Sequence, residues 1–387
     1  MAASVALAHD YLNQRGGAER VVLELARAYP GAPIHTALYR PESTFEAFRD
    51  LDVRASPLLD HLPVDRSFRA LLPAYPAAIG ALGTIEADVV ISSSSAWAHG
   101  VRTRPGAAHV CYCHTPARWL WDGGAYGSAA GRTALRPVFD ALRRWDRAAA
   151  ARPTRYVANS ERTAKLIRQV YDRPATVVHP PIDVARFTPR PRGTRLLVIA
   201  RLMDYKRVDL AVDAATRAGI GLDVVGDGPE LASLRARAGR HVTFHGRAED
   251  AVVTELLGSC RALVVCAKED FGMAPLEANA AGKPVVALRA GGVLESQVEG
   301  VTAELFDHAD PMELLEAVAR ADALTTSPAS LRAHADGFAP AAFRAAMARE
   351  VELARAEVQG ARHLRAVPDA TEGYAAAPAY AARMRSA

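Results

Sequence analysis

Two doubly wound α/β domains facing across a cleft are predicted by three observations. Short apolar runs alternate with amphipathic helical stretches, the mark of parallel sheets. The segment Arg186–Arg195, reading RFTPRPRGTR, interrupts the pattern with two prolines, a glycine and four arginines. The same alternation then restarts and continues for another hundred residues or so.

In chain order, the first unit is a strand at Val5–His9, a glycine pair at Gly16-Gly17 and a helix over Ala18–Tyr29. Val21, Val22, Leu25 and Ala28 share one face of that helix, and Pro30-Gly31 stops it. Further strands are predicted at Ile34–Leu38, Ala87–Ile91, Ala108–Cys113, Arg155–Ala158 and Thr176–His179, with helices over much of Thr133–Ala151 and over Glu161–Tyr171. Beyond the break, strands fit Leu196–Ala200, Leu222–Val225, Val242–Phe244, Ala262–Cys266 and Pro284–Leu288. Helices fit Lys206–Ala218, Glu230–Ala238, Asp250–Ser259, Pro275–Ala281, Asp310–Ala323 and Pro340–Val358. The domain division is therefore 1–185, a linker at 186–195, a second domain at 196–335, a helix within 336–360 that returns toward the first domain, and a loosely ordered Ala/Arg/Pro-rich tail at 361–387.

A chain of 387 residues, half of them hydrophobic, has the material for two cores. The net charge of +4 suits anionic nucleotides or an anionic surface but is too small to argue for nucleic acid, and no RNA- or DNA-binding signature accompanies it. The four cysteines, Cys111, Cys113, Cys260 and Cys266, form no CxxC pair and read as buried reduced thiols. The start lacks the basic and apolar regions of a signal peptide, and no apolar run approaches the ~20 residues of a membrane span. The expected location is cytoplasmic, at most peripheral on the inner face of the membrane.

The chemistry concentrates at predicted strand ends. Glu269 and Glu277 flank the Phe271-Gly272 turn between a strand and a helix, where backbone N–H groups suit a diphosphate or sugar hydroxyls. Two glutamates alone are more often solvated or capping. Arg201 and Lys206 share another strand-end loop, a guanidinium fork and a point charge within reach of one diphosphate. An ordinary solvated basic loop has the same composition. Gly226-Asp227-Gly228-Pro229-Glu230 is a weaker glycine turn. In the first half, Gly16-Gly17 opens a helix that brings N–H groups toward the same phosphates, and His114 ends an apolar strand inside CHTPARWLWD.

Together these segments resemble glycosyltransferase family 4, retaining enzymes of the GT-B fold, over about residues 5–358. The most specific part is Glu269-x7-Glu277 with Phe271-Gly272, joined by Gly282-Lys283-Pro284, Gly291-Gly292, Arg201, Lys206 and Asp209. The resemblance implies that Arg201 and Lys206 bind the diphosphate, Glu277 the ribose and Glu269 the sugar. It implies that backbone at Phe271, Gly272 and Met273, with Gly16 and Gly17, holds phosphate and sugar. It puts His114 beside the transferred sugar and the base against the loop of Phe244 and Gly246. His114, Arg201, Lys206 and Glu269 are then the catalytic set.

The HDYLNQRGGAER opening and the CHTPARWLWD segment look most like bacterial polysaccharide mannosyltransferases that use GDP-mannose. The implied acceptor is a glycan, a lipid-linked saccharide or a small molecule. No metal or other cofactor is expected, because Asp50-Leu51-Asp52, the sole DxD, is far from the donor motifs. Arg66–Leu82 reads either as a basic–apolar surface for a lipid-linked acceptor or as a core helix with solvated arginines. Rival readings are a UDP-sugar transferase, a sugar-nucleotide epimerase or phosphorylase on the same architecture, and a silent nucleotide-sugar-binding subunit. A dehydrogenase is disfavoured by the lack of GxGxxG spacing, and a P-loop enzyme because Gly282-Lys283 lacks the upstream glycine and following Ser or Thr.

Overall fold

The computed structural model describes residues 3–59, 71, 73–121 and 135–366. Its first sheet is built from β1 (Val5–His9), β2 (Ile34–Thr36), β3 (Val53–Ala55), β5 (Val89–Ser94), β7 (Ala108–Cys113), β8 (Arg155–Ala158) and β9 (Ala175–Val177). They lie in the order β3-β2-β1-β5-β7-β8-β9, every pair parallel. A small separate ribbon pairs β4 (Thr84–Ile85) with β6 (Arg102–Thr103). All six residues of β5 and of β7 are buried, as a parallel sheet covered on both faces requires.

The second sheet contains β10 (Leu196–Ile199), β11 (Leu222–Val225), β12 (Val242–Gly246), β13 (Ala262–Val265), β14 (Val285–Leu288) and β15 (Ala303–Phe306). Its order is β12-β11-β10-β13-β14-β15, again parallel throughout. Each sheet reverses its strand order beside its first strand, between β1 and β5 and between β10 and β13. Connections leave such a point in opposite directions and open a crevice at the carboxyl ends of the strands.

The first crevice is shaped by Asp10, the residue after β1. Its side chain is fully buried and accepts backbone N–H bonds from Ser95 (2.5 Å), Ala96 (3.0 Å), Trp97 (2.7 Å) and Ala98 (2.6 Å). One carboxylate thus binds the β1 loop to the turn after β5. Trp97, fully buried within that turn, packs edge-on to Trp119 and Trp145.

The segment between the sheets is laid down rather than free. Phe187 is buried, the Gly193 amide donates to the Cys260 carbonyl at 3.2 Å, and a side chain at Gly193 would overlap the Ser259 carbonyl. Lys283 is fully buried and donates to the carbonyls of Arg190 (2.6 Å) and Pro191 (2.8 Å), while burial holds its pKa below the usual lysine range. At the far end, the helix Pro340–Ala366 leaves the second sheet and packs on the first. Phe343, Met347, Val351 and Ala354, spaced to one helical face, join Tyr112 and Val157 in its core. Arg155 pairs with Glu350 (2.9 Å) and Glu357, and Arg344 with Glu24.

Element by element, β15 is short and broken by a charged residue, and the helix Pro328–Asp336 carries few apolar residues, so neither stands out in sequence. Glu304 sits inside β15 paired with Arg320 at 3.0 Å, and the helix buries only Leu331 and Ala335. The C-terminal helix also runs past Val358 to Ala366. All four cysteines are buried and free. Among the described residues no helix is long and apolar enough to cross a membrane. Of the basic–apolar segment, Arg66, Phe68, Arg69 and Leu72 lie outside the described residues, while Tyr75 and Ile79 are buried core.

Asp10→Ala is expected to destabilise the first domain by at least about 3 kcal/mol, because four amides lose a charged acceptor worth ~1–3 kcal/mol each before relaxation. Hydrogen exchange at residues 95–98 and the unfolding midpoint read this directly. Unchanged exchange there would show that the carboxylate does not hold the turn.

Candidate active site

The site assembles from loops at the carboxyl ends of both sheets. After β10, Arg201 is exposed and Lys206 lies in a short turn, Asp204–Lys206, closed by Arg207 at φ 50°. The Gly226–Gly228 turn after β11 buttresses this loop. Gly226 and Gly228 have φ of 138° and 159°, and a side chain on either would overlap the Ala200 or Leu202 carbonyl. The Leu202 amide in turn donates to the Asp227 carbonyl at 2.9 Å.

After β13, Glu269 accepts both of its hydrogen bonds from the Lys206 ammonium, at 2.5 and 2.6 Å. Two groups expected to meet different parts of a donor are therefore paired with each other across the second crevice. The backbone of Glu269 is held from behind, where its carbonyl accepts from Gly292 at 2.9 Å. Gly272 follows at φ 83°. Phe271 is buried and stacked on His179 at 5.0 Å, so this residue offers a ligand its backbone rather than its ring. Glu277 stands in the helix Ala274–Ala280, with the Arg186 guanidinium 3.9 Å away. Phe244 packs its ring against the sheet's core beside Arg235, whereas Gly246 closes β12 at φ 63° and accepts from Gly226 at 2.8 Å.

Across the cleft, the two glycines of the first loop face different neighbours. A Cβ on Gly16 would lie 2.6 Å from the Glu19 carboxylate, within the same domain. A Cβ on Gly17 would lie 2.8 Å from the Met273 sulfur, across the cleft. Gly17 is thus a point of close approach between the domains, and Gly16 makes room for Glu19. Arg201 reaches the same loop, donating to the Gln14 side chain at 3.4 Å. His114, at the end of β7, has Nε2 2.8 Å from the Ser93 hydroxyl and its ring edge-on to Tyr112. Burial, with the His9 charge adding to it, lowers its pKa to about 3, so the imidazole is neutral at physiological pH.

Several residues that bring the halves together carry no role in the sequence reading. Asp270 binds Arg118 and lies 3.6 Å from Arg162. Arg118 also covers the Tyr205 ring at 5.4 Å. The Glu295 carboxylate accepts from the first amides of the helix Glu161–Tyr171, Glu161 (2.6 Å) and Arg162 (3.1 Å). Arg15 pairs with Glu249 and Arg20 with Asp250, both at 3.0 Å. Arg118 and Asp270 stand inside the recognised motifs, but their pairing spans 152 positions and has no local signature. The Asp50-Leu51-Asp52 segment is elsewhere. The Asp52 carbonyl accepts from Ile34 at the amino end of β2, opposite the crevice, and its carboxylate is held by Arg54 at 2.6 Å.

Comparison with known proteins agrees with this architecture. Residues 15–186 match a family model described as Glycosyltransferase Family 4, and residues 185–335 one described as Glycosyl transferases group 1. A D-inositol 3-phosphate glycosyltransferase of Geodermatophilus obscurus is 30% identical over 240 residues, 49% of this chain and 50% of that protein. A GDP-mannose-dependent alpha-mannosyltransferase of Corynebacterium glutamicum is 32% identical over 141 residues, 33% of this chain and 32% of that protein. The chain spans about half the length, or less, of the curated relatives it matches. Among solved structures, Anabaena HepE in complex with UDP-glucose superposes with a TM-score of 0.69 at 19% identity, covering 90% of this chain and 99% of that one. Sucrose-phosphate synthase of Thermosynechococcus elongatus superposes with a TM-score of 0.68 at 17% identity, covering 94% and 99%. With two consecutive family models covering residues 15–335, every strand but β1, and the crevices of both sheets converging on one cleft, the chain belongs to glycosyltransferase family 4 and has the GT-B fold.

Proposed function

We propose that the chain transfers a hexose from a nucleoside diphosphate sugar to an acceptor hydroxyl, retaining the anomeric configuration, with mannose from GDP-mannose as the donor. The observation that carries the reading is the convergence of Arg201, Lys206, Glu269 and the Gly272 turn on one crevice, with Gly17 and Met273 in contact across the cleft. The guanine preference rests on the HDYLNQRGGAER and CHTPARWLWD segments and on the likeness to the Corynebacterium protein.

In this reading Glu277 binds the ribose, while Arg201, Lys206 and the backbone at Phe271–Met273 hold the diphosphate. The Lys206 ammonium has three protons, so it can keep one on Glu269 and turn others to phosphate oxygen. As the bond from the anomeric carbon to phosphate breaks, its electron pair moves to the phosphate oxygen, where Arg201 and Lys206 stabilise the growing charge. The acceptor oxygen bonds to the same face of that carbon, and its proton passes to the departing phosphate. Neutral His114 then orients sugar hydroxyls rather than carrying the acceptor's proton. No metal enters this scheme, since two cations already face the leaving group. The acceptor, a saccharide, a lipid-linked saccharide or a small molecule, meets the first domain.

A calorimetric panel of nucleotides and nucleotide sugars in EDTA-containing buffer tests the donor. GDP-mannose is expected to bind more tightly than UDP-glucose. Tighter binding of the uridine nucleotide would replace the mannose assignment, and binding only after Mg²⁺ is restored would contradict the metal-free scheme.

Glu277→Ala is expected to raise the donor's Kd, because ribose contacts are made in ground and transition states alike. Lys206→Ala should instead lower kcat, with a loss on the order of 2–4 kcal/mol in the transition state. Near-wild-type turnover by the lysine variant removes Lys206 from the leaving-group role.

The product of an α-linked donor is expected to be α-linked, read from the one-bond carbon–proton coupling at the new anomeric centre. A β-linked product would require a base on the opposite sugar face and would sink the retaining mechanism.

A further inference from the structure

A buried ion pair lies behind the first glycine loop and touches neither the diphosphate nor the sugar in the reaction scheme. His9 ends β1 and Glu19 lies in the first turn of the helix Gly17–Ala28; each side chain is 1% exposed, with Nε2 and Oε1 3.7 Å apart. The ring's other nitrogen, Nδ1, is 2.9 Å from the Ser93 carbonyl. A carbonyl only accepts, so Nδ1 carries a proton. A neutral ring would then turn the Nε2 lone pair toward the Glu19 carboxylate. The arrangement therefore favours imidazolium against carboxylate. Burial opposes that charge, and the attraction to Glu19, with Asp10 adding to it, outweighs burial and raises the His9 pKa, while at 3.7 Å Nε2 itself has no hydrogen-bond partner.

From this pair, contacts run in two directions. Glu19 Oε1 accepts from the Gln14 amide at 2.9 Å, and the Gln14 carbonyl oxygen accepts from Arg201 across the cleft at 3.4 Å. On the other side, Ser93, whose carbonyl receives His9, places its hydroxyl 2.8 Å from His114 Nε2. That contact leaves Nδ1 as the His114 nitrogen available to a sugar hydroxyl. The second Glu19 oxygen is buried without a hydrogen-bond partner, against the space where a Gly16 side chain would stand. A carboxylate kept so dry needs a cation beside it, and His9 supplies one.

We propose that His9 and Glu19 are positioning residues, a buried charge pair that orients Arg201 at the diphosphate through Gln14 and His114 at the sugar through Ser93. The proposal rests on the transferase reading above. It gives Gly16 a reason distinct from that of Gly17, because a side chain there would displace the carboxylate that starts the Gln14 arm and faces His9. It also links the two domains, since the Gln14 arm ends on Arg201 of the second domain.

The test uses the full chain with histidine ring ¹⁵N labelling, comparing wild type, Glu19→Gln and Gln14→Leu. Three readouts are taken: His9 and His114 ring nitrogens by long-range ¹H–¹⁵N spectra at pH 7.5, hydrolysis rates of GDP-mannose and UDP-glucose, and Kd for GDP and UDP. In wild type both His9 nitrogens are expected to be protonated. In Glu19→Gln, His9 becomes neutral, the His114 resonances shift, and hydrolysis falls about 100-fold, the scale of a small misplacement of reacting groups. In Gln14→Leu, His9 stays charged while hydrolysis falls about 10-fold, as one arm is cut. A neutral His9 in wild type, or wild-type hydrolysis by Glu19→Gln, overturns the proposal. Should Glu19→Gln fail to fold, unchanged hydrolysis by Gln14→Leu refutes the Arg201 arm by itself. If neither GDP nor UDP binds wild type, the transferase reading fails and the positioning role falls with it, whatever charge His9 carries.

Discussion

The contact between Lys206 and Glu269 depends on a topological constraint that organises the rest of the molecule. Their loops leave β10 and β13, adjacent parallel strands whose connections run to opposite sides of the sheet. No chain crosses between them, so side chains must close the gap or a ligand must fill it. In this structure an ammonium and a carboxylate, 14% and 24% exposed, close it. Each satisfies the other's charge, which permits both to face a partly dry crevice without a partner from outside. The pair thus fixes both side chains at the carboxyl ends of the two strands.

The first sheet solves the same problem with different chemistry. At the gap between β1 and β5, the buried Asp10 carboxylate collects four backbone amides from the turn after β5. His9 and Glu19 stand on the same loop and helix, so two buried negative charges sit close together there. One is met by amide dipoles and the other by an imidazole. Lowering the dielectric strengthens both arrangements and raises the penalty for losing either partner. The result is a rigid floor from which the Gly16-Gly17 loop approaches the opposite domain.

Between domains the contacts are mostly charged. Arg118 and Arg162 meet Asp270, Arg20 meets Asp250, Arg15 meets Glu249, and Glu295 sits at the N-terminus of the helix Glu161–Tyr171. Part-exposed ion pairs of this kind contribute little net energy each. Asp270 lies between Glu269 and Phe271, so this loop is tied to the first domain through Arg118. The helix Pro340–Ala366 adds an apolar anchor, returning from the second sheet to the core of the first.

The sequence by itself determined the two parallel sheets, since strands such as β13 and β14 must be apolar along their whole length to lie between helix layers. It also located Arg201, Lys206, Glu269, Gly272 and His114, because strand-end loops in this architecture are local features readable from a few adjacent residues. Only the tertiary structure decided that Lys206 and Glu269 neutralise each other, that Phe271 and Phe244 turn their rings inward, and that Gly16 serves Glu19 while Gly17 admits Met273. Those facts depend on pairs up to hundreds of positions apart, and no periodicity records which charge will meet which. The same reason hid β15, whose Glu304 is matched by a distant Arg320, and the helix Pro328–Asp336, whose few apolar residues become meaningful only against the surfaces they cover.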